Sequence, residues 1–205
     1  MIQVISLSKG FSGKTLFRNL SFTLPEKGLF LLSGPNGCGK STLLYLLAGL
    51  DPDYGGKILY DGRDLSSLSE EERLLFRKEN ISLLFSHGNL FSFLTGKENL
   101  LYDGKGEKSS LSEELLSKNP SVLSGGEEAL LSLETEFSKN KRICLIDELT
   151  SALNEENVHK VMDVIRRQSA DSLILMATHD KRILSEGERI DMGELIRNGR
   201  KMGAE

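Results

Sequence analysis

The segment Gly34-Pro-Asn-Gly-Cys-Gly-Lys-Ser41 fits the pattern G-x-x-x-x-G-K-[ST], and it lies between an apolar run at residues 28–33 and a leucine-rich stretch at 41–50. No other feature restricts the fold as much. Gly34, Gly37 and Gly39 allow backbone conformations that point several amides inward, and the following helix adds its positive N-terminal end. A strand must deliver such a loop and a helix must leave it, so the motif predicts strand, loop and helix in that order, closing on a polyphosphate. Within it, Lys40 is expected to pair with the β and γ phosphates, Ser41 to offer its hydroxyl to magnesium, and Thr42 to support the neighbouring phosphate. Pro35, Asn36 and Cys38 complete the cradle.

Residues 143–146 form a second apolar run, closed by Asp147-Glu148. Two carboxylates at the C-terminal end of a buried strand stand where parallel sheets place their ligands. Asp147 suits a magnesium ion. Glu148 suits the attacking water, because phosphoryl transfer needs a nucleophile held in line with the leaving oxygen. Ala177-Thr-His-Asp180 repeats the arrangement after the next strand and puts His179 where it can hydrogen-bond a γ-phosphate. His87 and His159 lack such a context and are read as incidental.

Around these motifs the pattern is that of an α/β chain. Alternation over residues 2–7 and 20–24 predicts two half-buried antiparallel strands separated by a turn-rich stretch at 9–14. Further strands are expected at 57–60, 81–85, 143–146 and 172–177, and helices at 41–50 (ending near Gly49), 69–78, 125–138 and 155–168. Ser69 with Glu72 reads as a capping box. Between Ser86 and Val122 the pattern changes to short helical pieces broken at Gly96, Gly104-Lys-Gly106 and Asn119-Pro120. The expected fold is a P-loop core with a mostly parallel sheet, an N-terminal antiparallel β subdomain and a short inserted helical subdomain at about 87–138, all one domain over residues 1–205. The tail beyond Ser185 is weakly patterned.

Composition narrows the class of protein. Of 205 residues, 39% are hydrophobic and 27% charged, and the longest apolar stretches fall far short of the roughly 20 residues that cross a bilayer. The start lacks the basic residues and long apolar segment of a secretory signal, and two cysteines without metal-ligand spacing suit a reducing compartment. A cytoplasmic protein is expected. A net charge of −4 supplies no general attraction to nucleic acid.

Leu123-Ser-Gly-Gly-Glu127 stands 24 residues ahead of Asp147, and with it the chain resembles the ATP-binding cassette ATPases, the nucleotide-binding subunits of ABC transporters. The likeness covers nearly the whole chain. It implies that Ser124, Gly125 and Gly126 open a helix that caps the γ-phosphate of ATP held by a second subunit, so that two protomers sandwich two nucleotides. Small residues at a helix N-terminus, followed by Glu127 and Glu128 in the first turn, agree with an anion-facing end. Phe11 lies where the family stacks an aromatic ring on adenine. Thr150-Ser-Ala-Leu-Asn154 resembles the loop through which the family's protomers communicate, and Gly49-Leu-Asp51, Arg77, Asn89-Leu-Phe91 and Glu98-Asn99 look most like the lipoprotein-release and macrolide-export branch. The chain departs from the family at five places: Ser86 replaces a glutamine, Leu130 and Thr135 replace arginines, Leu149 a proline, and Asn154 an aspartate.

The resemblance implies an ATPase subunit, using ATP and Mg2+, that dimerises on ATP with itself or a second cassette. It would drive a separate membrane permease, in the direction of export, from the inner face of the cell membrane. Two other classes fit the same motifs. One is a regulatory cassette with negligible hydrolysis, and the other a soluble family member acting without a permease.

Overall fold

The computed structural model of the protein describes residues 1–85, 89–102 and 109–202. Ser86, His87 and the Gly104-Lys-Gly106 break lie outside them. Two sheets carry the architecture. In the first, β1 (Ile2–Phe11), β2 (Lys14–Leu24), β4 (Gly55–Tyr60) and β5 (Arg63–Asp64) pair antiparallel in the order β2-β1-β4-β5. In the second, β3 (Gly28–Ser33), β6 (Ile81–Leu84), β7 (Ile143–Asp147), β8 (Leu173–Thr178) and β9 (Glu188–Asp191) run parallel in the order β6-β7-β8-β3-β9.

Apart from the edge strand β9, the parallel strands are buried on both faces, which is why they read as unbroken apolar runs. Their side chains part with the two-residue period of a strand. Phe30, Leu32, Leu145, Leu173 and Leu175 face one core, shared with the antiparallel sheet and with α1 (Lys40–Leu47). Leu29, Leu31, Cys144, Ile146, Ile174 and Met176 face the other, where α5 (Gly125–Ser138) and α6 (Glu155–Ser169) lie. Leu131 of α5 enters a third cluster with Leu115 and Leu116 of α4 (Glu113–Ser117), beside α3 (Gly96–Tyr102). The helix that begins at Gly125 therefore spans the sheet core and the helical lobe.

Helix α1 is short and is fixed at its end. Ala48 closes it and Gly49 follows in the left-handed region at φ 65°, as a helix C-terminus favours. The carbonyl of Leu47 accepts from the buried Tyr60 hydroxyl at 2.5 Å, and that of Gly49 from the Arg77 guanidinium at 2.7 Å. Arg77 belongs to α2 (Glu70–Asn80), whose start carries the expected reciprocal box between Ser69 and Glu72.

Two expectations are corrected. The stretch at 9–14 is a hairpin rather than a long turn, with only Ser12-Gly13 between β1 and β2. Lys9 looks like a turn residue in sequence, yet it is 6% exposed because Asp51 and Asp53 pair with it at 2.8 and 3.2 Å. The weakly patterned tail is ordered as β9 and an amphipathic helix, α7 (Met192–Met202). Gly193 interrupts the run of apolar positions at Met192, Leu195 and Ile196, which pack on the first core.

Candidate functional site

The strand register brings the predicted chemistry to one level. Ser33 of β3 pairs with Thr178 of β8, and Asp147 of β7 with Ala177, so the residues that follow these three strands emerge side by side. They are the glycine loop, Glu148 and His179. Gly39 is the hinge into α1. It has φ 101°, and a Cβ there would meet Leu16 and Phe17 at 2.9 to 3.1 Å, so only glycine fits. No side chain caps the helix at this end, and the amides of its first turn are left facing the loop.

Glu148 is the hub. It holds φ 53°, a left-handed backbone that a bulky residue adopts only under constraint, and such strain gathers at functional sites. Its amide donates to the Ala177 carbonyl at 3.0 Å, and its carbonyl accepts from the Ser151 hydroxyl at 3.4 Å. One carboxylate oxygen lies 3.4 Å from Lys40 Nζ, the other 3.0 Å from His179 Nδ1. Lys40, 5% exposed, also donates to the Gly34 and Pro35 carbonyls at 3.0 and 3.4 Å. A buried ammonium thus sits among oxygen acceptors beside the open end of α1, where added negative charge would be favoured by cation and helix together.

Asp147 lies deeper. It is 9% exposed and accepts the Ser41 hydroxyl at 3.0 Å. Burial, reinforced by the Glu148 charge, pushes its carboxyl above the ordinary range, while the Ser41 bond and Lys40 pull the other way. Two hard oxygens, one of them costly to keep charged, form a fitting pair for a divalent cation that shares its remaining shell with phosphate.

The hollow above the loop is lined by Asn36, Gly37, Gly39, Lys40, Ser41, Thr42, Glu148, Leu16 and Phe11. Cys38 turns its amide onto the Pro35 carbonyl at 3.3 Å, and its thiol is free. Phe11 ends β1 and is 53% exposed, with the Lys9 ammonium 4.8 Å from the centre of its ring. Leu16 carried no signal in the sequence.

Ser124, Gly125 and Gly126 do not reach this hollow. Ser124 caps α5 in a reciprocal box with Glu127, and Gly125 borders a second cleft against Ser151, Ala152 and Leu153, which shares only Glu148 with the hollow. A Cβ on Gly126 would lie 2.2 Å from the Asn157 amide nitrogen of α6. Small size here is dictated by α6, a partner that sequence reasoning missed. Among the described residues the departures from the family pattern sit as follows: Leu149 and Thr135 are buried, the Thr135 hydroxyl without a hydrogen-bond partner, Leu130 packs on the second core, and the side chain of Asn154 caps α6 by accepting from the Asn157 amide at 2.9 Å. An aspartate's capping role is thereby kept without its charge.

Residues 17–151 match the sequence profile of the family described as "ABC transporter". The chain belongs to the ABC transporter family. This ABC-family chain is 28% identical to the macrolide export ATP-binding/permease protein MacB of Campylobacter jejuni, over its whole length but only 35% of that relative. It is 31% identical to the probable iron export ATP-binding protein FetA of Escherichia coli, covering 85% of the chain and 83% of FetA. Thus it spans about a third of MacB and most of FetA. Among solved structures it resembles the dimeric cassette MJ0796 bound to ADP and Pi, with a TM-score of 0.80 and 24% identity over 93% of this chain and 94% of that one. Its fold is therefore that of an ABC cassette. Among the described residues no helix is long and apolar enough to cross a membrane.

Proposed function

We propose that this chain is the ATP-binding and ATP-hydrolysing subunit of an ABC transporter, that it dimerises on ATP, and that it drives a membrane permease at the inner face of the cell membrane. The observation that carries the reading is the arrangement around Glu148, whose two carboxylate oxygens face Lys40 on one side and His179 on the other at the level ends of β3, β7 and β8. The export direction is supported by the relatives named for macrolide and iron export.

In this reading, amides of the loop from Gly34 to Gly39 and of the first turn of α1 cradle the β and γ phosphates, and Lys40 exchanges its carbonyl and carboxylate partners for phosphate oxygens. Ser41 and Asp147 would hold Mg2+, which would supply charge neutralisation for the phosphoryl groups. Glu148 orients the attacking water and takes its proton, and His179 hydrogen-bonds the γ-phosphate. Phe11 offers a ring face to adenine. Ser124, Gly125 and Gly126, at the start of α5, serve the nucleotide of a second copy or a paired cassette, which accords with their absence from the lining of the hollow of their own chain.

Steady-state phosphate release from the purified chain with ATP and Mg2+ tests this. Hydrolysis that Lys40→Ala abolishes is expected. Release no greater than that of the Lys40→Ala variant would leave the binding-only regulatory cassette as the better account.

A further inference from the structure

Arg182 lies outside every motif described above, yet four of its five guanidinium N–H groups are engaged. Nε and Nη2 donate to the two oxygens of Asp180 at 2.9 and 2.8 Å. Nη2 also donates to the Thr150 carbonyl at 3.1 Å, and Nη1 to the Leu153 carbonyl at 3.0 Å. These carbonyls belong to the loop that follows Glu148, whereas Arg182 and Asp180 belong to the turn that follows His179. The β7–β8 ladder ends with Asp147 opposite Ala177, and the Glu148 amide reaches back to the Ala177 carbonyl. Beyond that point the two chains diverge, and the guanidinium bridges them.

Both sides of the bridge are anchored. Asp180 is 8% exposed and its amide donates to the Thr178 hydroxyl at 3.0 Å. Ile183, next to the arginine, is 1% exposed in the same core as Leu149, with Leu153 packed against it. The Asp180 carboxylate balances the guanidinium charge, so the pair adds almost no field at the phosphate loop. What it contributes is geometry: a planar fork that reaches one carboxylate and two carbonyls at once, which a lysine ammonium on a flexible stem does not match.

We propose that Arg182 is a positioning residue for hydrolysis. It locks the loop behind Glu148 against the loop behind His179, and so holds the 3.0 Å approach of those two side chains and the pose of the exposed Ser151-Ala152 tip without touching nucleotide. This rests on the hydrolytic reading given above.

The test uses the full chain as wild type, Arg182→Ala and Arg182→Lys, with steady-state phosphate release and titration of a fluorescent ATP analogue measured on each. A clamp that sets the alignment of a catalytic pair predicts a kcat lower by roughly tenfold in Arg182→Ala, with the nucleotide dissociation constant within about twofold of wild type. Millimolar methylguanidinium should raise the rate of Arg182→Ala and leave wild type unchanged. Arg182→Lys should fall below about half the wild-type kcat because one ammonium cannot span both carbonyls, and it carries the test alone if the alanine variant does not fold. Wild-type kcat in either variant overturns the inference. So does a loss of rate matched by an equal loss of nucleotide binding and unmoved by methylguanidinium, which marks a merely structural role. A wild-type chain that releases no phosphate overturns the hydrolytic reading and takes this inference with it; a hydrolysing wild type with an unimpaired Arg182→Ala overturns the inference alone.

Discussion

Replacing Asp147 by asparagine should make the nucleotide-free protein more stable while depriving it of magnesium. The carboxyl is buried, and its pKa is raised, mainly by that burial. The folded protein therefore binds this proton more tightly than the unfolded chain does. Linkage then fixes the sign: the ionised carboxylate costs stability at every pH above its raised pKa, and the cost fades as pH falls through that value toward the ordinary carboxylate range. Asparagine keeps the shape and keeps an oxygen for the Ser41 hydroxyl, now 3.0 Å from the carboxylate, but carries no charge to bury. Relief of this kind at a functional site amounts to about 1 kcal/mol. For a domain of this size that raises the unfolding midpoint by roughly 2–4 °C. The assay is thermal unfolding at pH 7 with and without ATP and Mg2+, repeated toward acid pH. Wild type at a hundredfold excess of ligand over its Kd gains about 2.7 kcal/mol, whereas the variant should gain no more with Mg2+ than with EDTA. The advantage of the variant should shrink on acidification. A variant that melts below wild type without nucleotide, or one that retains the full magnesium-dependent shift, would refute the reasoning.

Two further outcomes follow from the same geometry. Phe11→Ala should weaken ATP binding by about 1–2 kcal/mol, the value of one lost stacking partner, and leave tripolyphosphate binding unchanged; competition against a fluorescent nucleotide measures both, and equal losses would place Phe11 outside base recognition. Gly126→Ala should cost about 1 kcal/mol in urea unfolding, since displacement of the Asn157 side chain outweighs the helix propensity gained, and Asn157→Ala should restore it. Strict additivity of the two substitutions would show that the two positions do not meet.

The central strand-loop-helix unit was legible because one motif demands three elements in a fixed order. Strands β7 and β8 are legible for a different reason: burial on both faces leaves an apolar run with a polar end, Asp147 in one and Thr178 in the other. Legibility failed wherever a residue's role depends on a distant partner. Lys9 reads as a turn lysine until Asp51 and Asp53 cover it, so the β1–β2 hairpin is longer than its alternation suggests. The edge strand β9 is four residues long with charges at three of them, and α7 hides its stripe behind glycine. Arg182 and Asn157 carry no signal in the sequence because each acts across about 30 residues of chain, on Thr150 and Gly126 respectively, and neither belongs to a local pattern. The chemistry-bearing residues are readable because loops of fixed geometry need fixed residue types. The residues that hold them in place answer only to packing.

The claim on which the mechanism depends is that two copies complete each other's nucleotide sites. Glu148→Gln keeps the size of the side chain and removes its ability to accept a proton from water, so bound ATP persists. The molar mass of this variant, measured by light scattering during size-exclusion chromatography with saturating ATP and Mg2+, should be that of a dimer, and that of a monomer when ATP is replaced by ADP. A monomeric mass with saturating ATP and Mg2+ would contradict the account.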